Sequence, residues 1–255
     1  MKTHLLLSFL LLFPCCMYAQ QVAEVYYASA EAKLMIGDTL GAIADGNSAI
    51  ALNTDAPEAS NGKGYIKFLM KDYAGAIEEY DKALEFQPDY ATAYYNRGMA
   101  KEKMGLKKDA LEDYGMAIYI APDYAEAFAG RAKLYAELNM HKEALQDFTI
   151  AIGLSPNYIY AYMQRAKTYG KLGLYKEGIE DYNKVIKIAP TNGDAYFSRG
   201  MVKCQLKKYA LAVRDFNKAL ELNPAKSEVL AQKTLAEEQL SLLEKPQSNL
   251  VSKSK

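Results

Sequence analysis

Five prolines recur at a fixed interval, and this interval limits the folds open to the chain more than any other feature. They are spaced 34 residues apart, at Pro88, Pro122, Pro156, Pro190 and Pro224. An interval of this length is typical of a repeat protein, in which each unit packs mainly on its neighbours. The 255 residues therefore need not be divided into one or two closed domains.

Each repeat unit is predicted to contain two helices. In residues 91–124, side chains three, four and seven positions apart form one face of a first helix: Tyr94, Arg97, Gly98 and Lys101. Gly105 is expected to end that helix, because glycine readily adopts the left-handed conformation found at helix ends. A second helical face includes Ala110 and Tyr114, and Pro122 closes the unit.

Small and aromatic residues follow the same interval. One series of small residues, expected where two helices cross closely, is Ala30, Gly64, Gly98, Ala132, Ala166 and Gly200. An aromatic residue occupies one position of the second helix in most units, at Tyr80, Tyr114, Phe148, Tyr182 and Phe216. Gly46 stands at that position in the first unit, where we expect looser packing.

The series of small, aromatic and proline residues resembles the tetratricopeptide repeat family. The resemblance covers residues 23–226 as six units, 23–56, 57–90, 91–124, 125–158, 159–192 and 193–226. It implies an all-α fold, a right-handed superhelical solenoid of helix-turn-helix units. A final helix at 227–244 is expected to cap the apolar end of the solenoid, and 245–255 is predicted to be a flexible tail.

The first residues are typical of a secretory signal peptide. Lys2 precedes the short apolar run Leu5–Phe13, and Ala19 offers a small residue at the cleavage position. Residues 1–19 are therefore predicted to be a signal peptide, which indicates export to a bacterial periplasm or out of the cell. A lipid anchor at Cys15 or Cys16 is the lesser alternative, because the residue before each is not the small one that lipidation signals use. No later run is long and apolar enough to span a membrane.

The residues that usually carry catalysis are scarce after this leader. His141 and Cys204 are the single histidine and cysteine there, in different units, so neither a zinc site nor a histidine-activated nucleophile is expected. There is no glycine-rich phosphate loop, and the carboxylates are expected on solvated helix faces. We therefore predict no enzymatic activity, no metal and no cofactor. A net charge of zero also argues against a nucleic-acid partner.

Opposite charges recur at fixed positions of the two helices. The first helices carry Arg97, Arg131, Arg165 and Arg199, and the second helices carry Asp113, Asp147, Asp181 and Asp215. Because each arginine has an aspartate in the same unit, we favour structural ion pairs within or between units. A row of arginines for an anionic ligand is the alternative.

By resemblance to the family, the first helices line a concave groove that binds peptides or proteins. The residues implied for it are Tyr27, Glu31, Tyr65, Phe68, Tyr95, Met99, Lys133, Met163, Lys167, Phe197 and Met201. Aromatic residues and methionines are favoured at protein-binding surfaces. The alternative for each residue is packing against the next repeat.

The charge is unevenly distributed along the chain. Residues 20–124 sum to −7 and residues 125–255 to +6. This asymmetry would favour self-association through oppositely charged ends. We therefore interpret the chain as a non-catalytic interaction scaffold of the cell envelope that binds a peptide or protein segment. The alternatives are a self-associating structural solenoid and, with least support, an enzyme or small-molecule binder.

Overall fold

The computed structural model describes residues 22, 25–26, 29–30, 32–33, 36–52 and 57–244. The predicted signal peptide at 1–19, the predicted tail at 245–255, and Tyr27 and Glu31 lie outside these described residues. Every regular element in the described part is a helix, so the predicted all-α fold class is confirmed. None of the described helices is both long and apolar enough to cross a membrane.

Twelve helices follow one another from residue 39 onward in the described chain. They are α1 (Thr39–Leu52), α2 (Pro57–Leu69), α3 (Tyr73–Phe86), α4 (Ala91–Lys103), α5 (Lys107–Ile120), α6 (Ala125–Glu137), α7 (His141–Leu154), α8 (Ile159–Lys171), α9 (Tyr175–Ile188), α10 (Gly193–Gln205), α11 (Tyr209–Leu222) and α12 (Ser227–Glu244). The chain divides into two compact units, residues 1–131 and 132–255, which we call the N-terminal and C-terminal units.

Tight turns with one left-handed residue join the two helices of each pair. Glycine takes the positive φ angle at Gly37, Gly105 and Gly173, and asparagine takes it at Asn139. Lys71 and Lys207 stand at the corresponding positions and also have positive φ angles, of 65° and 55°. The turn geometry is thus kept even where the residue is a lysine, for which this conformation is strained.

Helices of the N-terminal unit pack around the recurrent aromatic residues. Tyr80 on α3 is fully buried with Ala76 and Ala100, and Phe68 packs against this cluster. The ring leaves no room for a side chain at Gly64, where a Cβ atom would lie 2.5 Å from Cε1 of Tyr80. At Gly46, Ile66 of the next helix occupies the space beside the backbone. In the first unit, the aliphatic side chain of Ile66 thus lies over Gly46.

Helices of the C-terminal unit form a comparable core that α12 extends. Phe216 on α11 is fully buried, and Val229 and Ala236 of α12 join its cluster. The inner face of α12 therefore covers the last helix pair. Leu243 follows Ala236 by seven residues, a spacing that predicts the same helix face, yet it is 65% exposed. The reason is length, because α12 has 18 residues whereas α11 has 14, so its last turn extends past the helix it covers.

Candidate protein-binding surface

Arginine and aspartate side chains of one helix pair meet in a bidentate ion pair. Nε and Nη2 of Arg97 donate to the two carboxylate oxygens of Asp113 at 2.9 and 2.6 Å. The same geometry joins Arg165 to Asp181 at 2.8 and 2.7 Å. It also joins Arg199 to Asp215 at 2.9 and 2.7 Å. Three of the predicted arginines are thus brought together with the aspartate of their own repeat.

The fourth predicted pair is divided between the two compact units. Arg131 belongs to the N-terminal unit, where its guanidinium lies 5.6 Å from the centre of the Phe128 ring. Asp147 belongs to the C-terminal unit and is buried, with 5% of its surface exposed.

The guanidinium group of each of these three arginines also donates a hydrogen bond to the preceding helix pair. Nη1 of Arg97 donates to Asp81 at 2.6 Å, that of Arg165 to Thr149 at 3.0 Å, and that of Arg199 to Asn183 at 2.6 Å. All three nitrogen atoms of each guanidinium are therefore held by protein acceptors, which favours a structural role over anion binding. These acceptors are not among the residues predicted from the sequence, although each stands 16 residues before its arginine.

The carboxylates stabilise the charged forms of Arg97 and Arg165. Burial lowers the pKa of the Arg97 guanidinium, but hydrogen bonds to Asp113 and Asp81 outweigh this effect and raise the pKa above its ordinary value. Burial likewise lowers the pKa of Arg165, and the hydrogen bonds to Asp181 raise it by more. The arginines therefore act as permanent cations within the helix packing.

The predicted binding residues of the N-terminal unit pack largely on other rings. Tyr65 stacks on Phe68 with ring centres 6.5 Å apart, and Phe68 meets Tyr73 edge-on at 5.4 Å. The centre of the Tyr95 ring lies 5.7 Å from that of Tyr114 and 5.0 Å from that of Tyr124. All of these predicted residues, and Met99 with them, are half-buried.

Three of the predicted residues in the C-terminal unit line one groove. Lys167 of α8 and Phe197 and Met201 of α10 border a cavity of about 470 Å³, which we call the α8–α10 groove. Its lining residues are Ala166, Lys167, Gly170, Lys171, Tyr175, Tyr182, Phe197, Ser198, Met201, Val202 and Gln205. A cavity of this size has room for more than one side chain of a bound segment.

The two other predicted residues of this unit are not among those lining the groove. Met163 packs against the core cluster of Tyr162, Val185 and Ala195. Lys133 on α6 lies 3.8 Å from the carboxylate of Glu137, one helical turn along. For Met163 the structure therefore matches the alternative of packing between repeats.

The aromatic residues that line the α8–α10 groove add no charge to it. Burial raises the pKa of Tyr182 to about 12, against a smaller lowering by its hydrogen bond to Ser198, so the phenol stays neutral at physiological pH. Phe197 rests on the buried ring of Phe216, with centres 5.9 Å apart. Among the lining residues, the side chains of the basic and acidic types are Lys167 and Lys171, both on α8 and both exposed.

Models of known protein families match the sequence of several helix pairs. The Tetratricopeptide repeat family model matches residues 91–124, 159–192 and 193–226, and a TPR repeat model matches residues 64–105. Together these ranges span just over half of the chain. The chain belongs to the tetratricopeptide repeat family.

Solved tetratricopeptide repeat structures resemble the chain over most of its length. MamA is 27% identical, with a TM-score of 0.60, over 68% of this chain and 94% of its own. YrrB, described as a TPR protein with an unusual peptide-binding site, is 22% identical, with a TM-score of 0.60, over 74% and 97%. PilF from Pseudomonas aeruginosa is 17% identical, with a TM-score of 0.69, over 86% and 99%. No curated protein matches the chain in sequence.

Tetratricopeptide repeat proteins generally mediate protein–protein interactions through their helical surfaces, and the family is generally non-catalytic. Among the described residues there is no cluster of three or more His, Cys, Asp or Glu side chains that could hold a metal ion. Cys204 is half-buried, and burial raises the pKa of its thiol, which is the opposite of what an activated nucleophile needs.

The sequence predicts only part of this tetratricopeptide repeat groove. Gly170 and Lys171 of α8 and Ser198 and Val202 of α10 line it but are not among the predicted binding residues. Helical spacing could have indicated two of these residues from the sequence. Lys171 follows Lys167 by four residues and Val202 follows Ser198 by four, so each pair shares a helix face.

Proposed function

We propose that this tetratricopeptide repeat protein is a non-catalytic scaffold of the cell envelope that binds a segment of a partner protein in the α8–α10 groove. One observation carries the proposal. The cavity of about 470 Å³ lies beside two consecutive first helices, α8 and α10, and joins apolar and aromatic side chains to two exposed lysines of α8. Apolar pockets with a few polar groups at the edge are typical binding sites.

The side chains of the groove suit a flexible peptide segment. Met201 is unbranched and adapts to the shape of a ligand, and Phe197 offers a broad apolar surface that is only half-buried. The likeness to YrrB, described as having a peptide-binding site, is a likeness of fold. The proposed peptide binding therefore rests on the groove residues of this chain.

Gly170 provides a direct test of the groove. A Cβ atom added there would meet no other atom within 4 Å, although Gly170 lines the cavity. Gly170→Tyr should fill the groove without disturbing the helix packing, and Gly170→Ala is the matched control. We expect peptides selected on the wild-type protein from a random library to bind Gly170→Ala normally and Gly170→Tyr at least tenfold more weakly. Equal binding to both variants would refute the proposed groove.

Export is the second part of the proposal, and the leader supports it. Lys2, the apolar run Leu5–Phe13 and Ala19 have the order of a signal peptide. Amino-terminal sequencing of the protein recovered from a bacterial periplasmic fraction should give a chain that begins at Gln20. Recovery of the chain in the cytoplasm with Met1 retained would contradict export.

Self-association is the second candidate function, and the uneven charge supports it. The −7 sum of residues 20–124 and the +6 sum of residues 125–255 would attract one copy to another. Such attraction weakens as salt shortens the screening length from about 30 Å at 0.01 M to about 3 Å at 1 M. The molar mass by light scattering should fall as salt rises if copies associate this way, and a constant monomer mass excludes it.

A further inference from the structure

First helices of this chain usually pair a lysine with a carboxylate of the second helix. Lys33 meets Asp45 at 2.6 Å and Lys67 meets Glu79 at 3.1 Å. At the equivalent positions, Lys101 meets Asp113 at 2.8 Å and Lys203 meets Asp215 at 2.6 Å. In each of these pairs the carboxylate stands 12 residues after the lysine, so the ammonium is neutralised inside its own repeat.

Helix α8 departs from this pattern. Tyr169 occupies the position of the paired lysine, and the Arg165 guanidinium lies 5.8 Å from its ring centre. The lysines of α8 stand instead at Lys167 and Lys171, one helical turn apart, and both line the α8–α10 groove. Within the part of the chain that the structure describes, neither of them lies within ion-pair distance of a carboxylate.

The groove itself supplies no compensating negative charge. No aspartate or glutamate is among its described lining residues. The nearby carboxylates Asp181 and Asp215 are buried and already engaged by Arg165 and Arg199. Two lysines one helical turn apart on the lining of this cavity thus create a local positive field over the ligand site.

We infer that the α8–α10 groove recognises a protein segment in which one or two carboxylate side chains adjoin an aromatic or aliphatic residue. This inference rests on the proposed function. The apolar residue would pack on Phe197, Met201 and Tyr175, and the carboxylates would accept hydrogen bonds from Lys167 and Lys171. The guanidinium groups of Arg165 and Arg199 are occupied by their own aspartates, so Lys167 and Lys171 are the cations left to meet an acidic side chain in this groove.

Two double variants isolate the charge from the cavity. Lys167→Gln with Lys171→Gln removes both ammonium groups but keeps long side chains at the edge of the groove. Lys176→Gln with Lys187→Gln is the matched control, because these lysines of α9 are exposed and do not line the groove. A random dodecapeptide phage library is panned on the wild type and on both variants, and the strongest wild-type binder is synthesised with a fluorescent label.

The wild type and the control variant should enrich peptides with Asp or Glu next to an apolar residue. The groove variant should lose that acidic enrichment and bind the synthetic peptide roughly tenfold more weakly by fluorescence anisotropy. Binding to the wild type should also weaken as NaCl is raised from about 0.05 to about 0.5 M. Enrichment without acidic residues, or equal affinity for both double variants, would overturn the inference.

The Gly170 variants separate this outcome from failure of the proposed function. If Gly170→Tyr abolishes peptide binding and the groove lysine variant does not weaken it, the groove stands and the carboxylate preference falls. If Gly170→Tyr binds as well as Gly170→Ala, or if the wild type enriches no peptide, the groove is not the binding site and both proposals fall.

Discussion

Arg165 holds Asp181 through two parallel hydrogen bonds while its third nitrogen reaches Thr149 on the preceding helix pair. One guanidinium thus joins the two helices of its own repeat and the second helix of the repeat before it. The carboxylate of Asp181 is nearly fully buried, whereas Thr149 is exposed. The two contacts should therefore differ in their contribution to stability.

Asp181→Asn is expected to destabilise the protein strongly. Asparagine is neutral and has one side-chain oxygen, so it cannot accept both hydrogen bonds. The half-buried charge of Arg165 is then uncompensated, which costs about 3 kcal/mol in comparable sites. Thr149→Val removes only the exposed contact and should cost about 0.5–1 kcal/mol. Urea unfolding followed by circular dichroism measures both free energies. Equal effects of the two substitutions, or no effect of Asp181→Asn, would contradict the ion-pair role.

Two glycines within helices should respond oppositely to alanine. At Gly115 on α5 an added Cβ atom meets nothing within 4 Å, so Gly115→Ala should stabilise the helix by about 0.5–1 kcal/mol. At Gly200 on α10 the same atom would lie 2.6 Å from Cε1 of Phe216, so Gly200→Ala should destabilise by about 1–3 kcal/mol. The melting temperatures of both variants, measured by thermal unfolding, test the two predictions. A shift of the melting temperature in the same direction for both would refute the packing argument.

The two lysines with positive φ angles should be improved by glycine. Lys71 and Lys207 adopt the left-handed conformation that Gly105 adopts in the equivalent turn. Relief of that strain should let Lys71→Gly and Lys207→Gly each stabilise the fold by about 0.5–1 kcal/mol, after the entropy cost of glycine is counted. Gly105→Ala, which introduces the strain, should destabilise by a similar amount in the same unfolding assay. Destabilisation by both lysine substitutions would show that the side chains matter more than the turn.

Glu79 should make the fold sensitive to acid. Burial raises its pKa, but hydrogen bonds from Lys82 and Lys67 outweigh this and bring the pKa below its ordinary value of 4.5. A carboxyl group with a lowered folded-state pKa stabilises the fold above the unfolded-state pKa and loses that contribution as the pH falls through the folded-state pKa. Unfolding free energies measured from neutral pH down to about 3 should therefore fall less steeply for Glu79→Gln than for the wild type. Parallel curves would contradict this role.

The repeat interval was sufficient to predict the fold class because a helix pair of fixed length repeats its crossing residues. The pairing of Gly200 with Phe216 could be anticipated from the small and aromatic series alone. The third hydrogen bond of Arg165 could not, because it depends on how neighbouring pairs stack. The exposure of Leu243 also escaped prediction, since helical periodicity does not report where the covered helix ends.

The candidate site could be predicted only in part, for a related reason. Position within the repeat led to Lys167, Phe197 and Met201, which share the groove, and equally to Met163, which packs in the core. The distinction depends on which side chain of the neighbouring helix reaches the same space. The sequence also does not show that Lys167 and Lys171 differ from the lysines of other first helices. The difference is seen only when the lysine–carboxylate distances of those helices are known.

The third acceptor of each arginine has a consequence for engineering the array. Arg97 meets a carboxylate in the repeat before it, Arg165 a hydroxyl and Arg199 an amide, so each repeat is matched to its predecessor. A chimaera with residues 193–226 placed directly after residues 57–90 would set Arg199 opposite Asp81 instead of Asn183. That junction would gain an ion pair absent from the native order. The six predicted modules are therefore similar in sequence but not interchangeable, and shuffled arrays should differ in stability at their junctions.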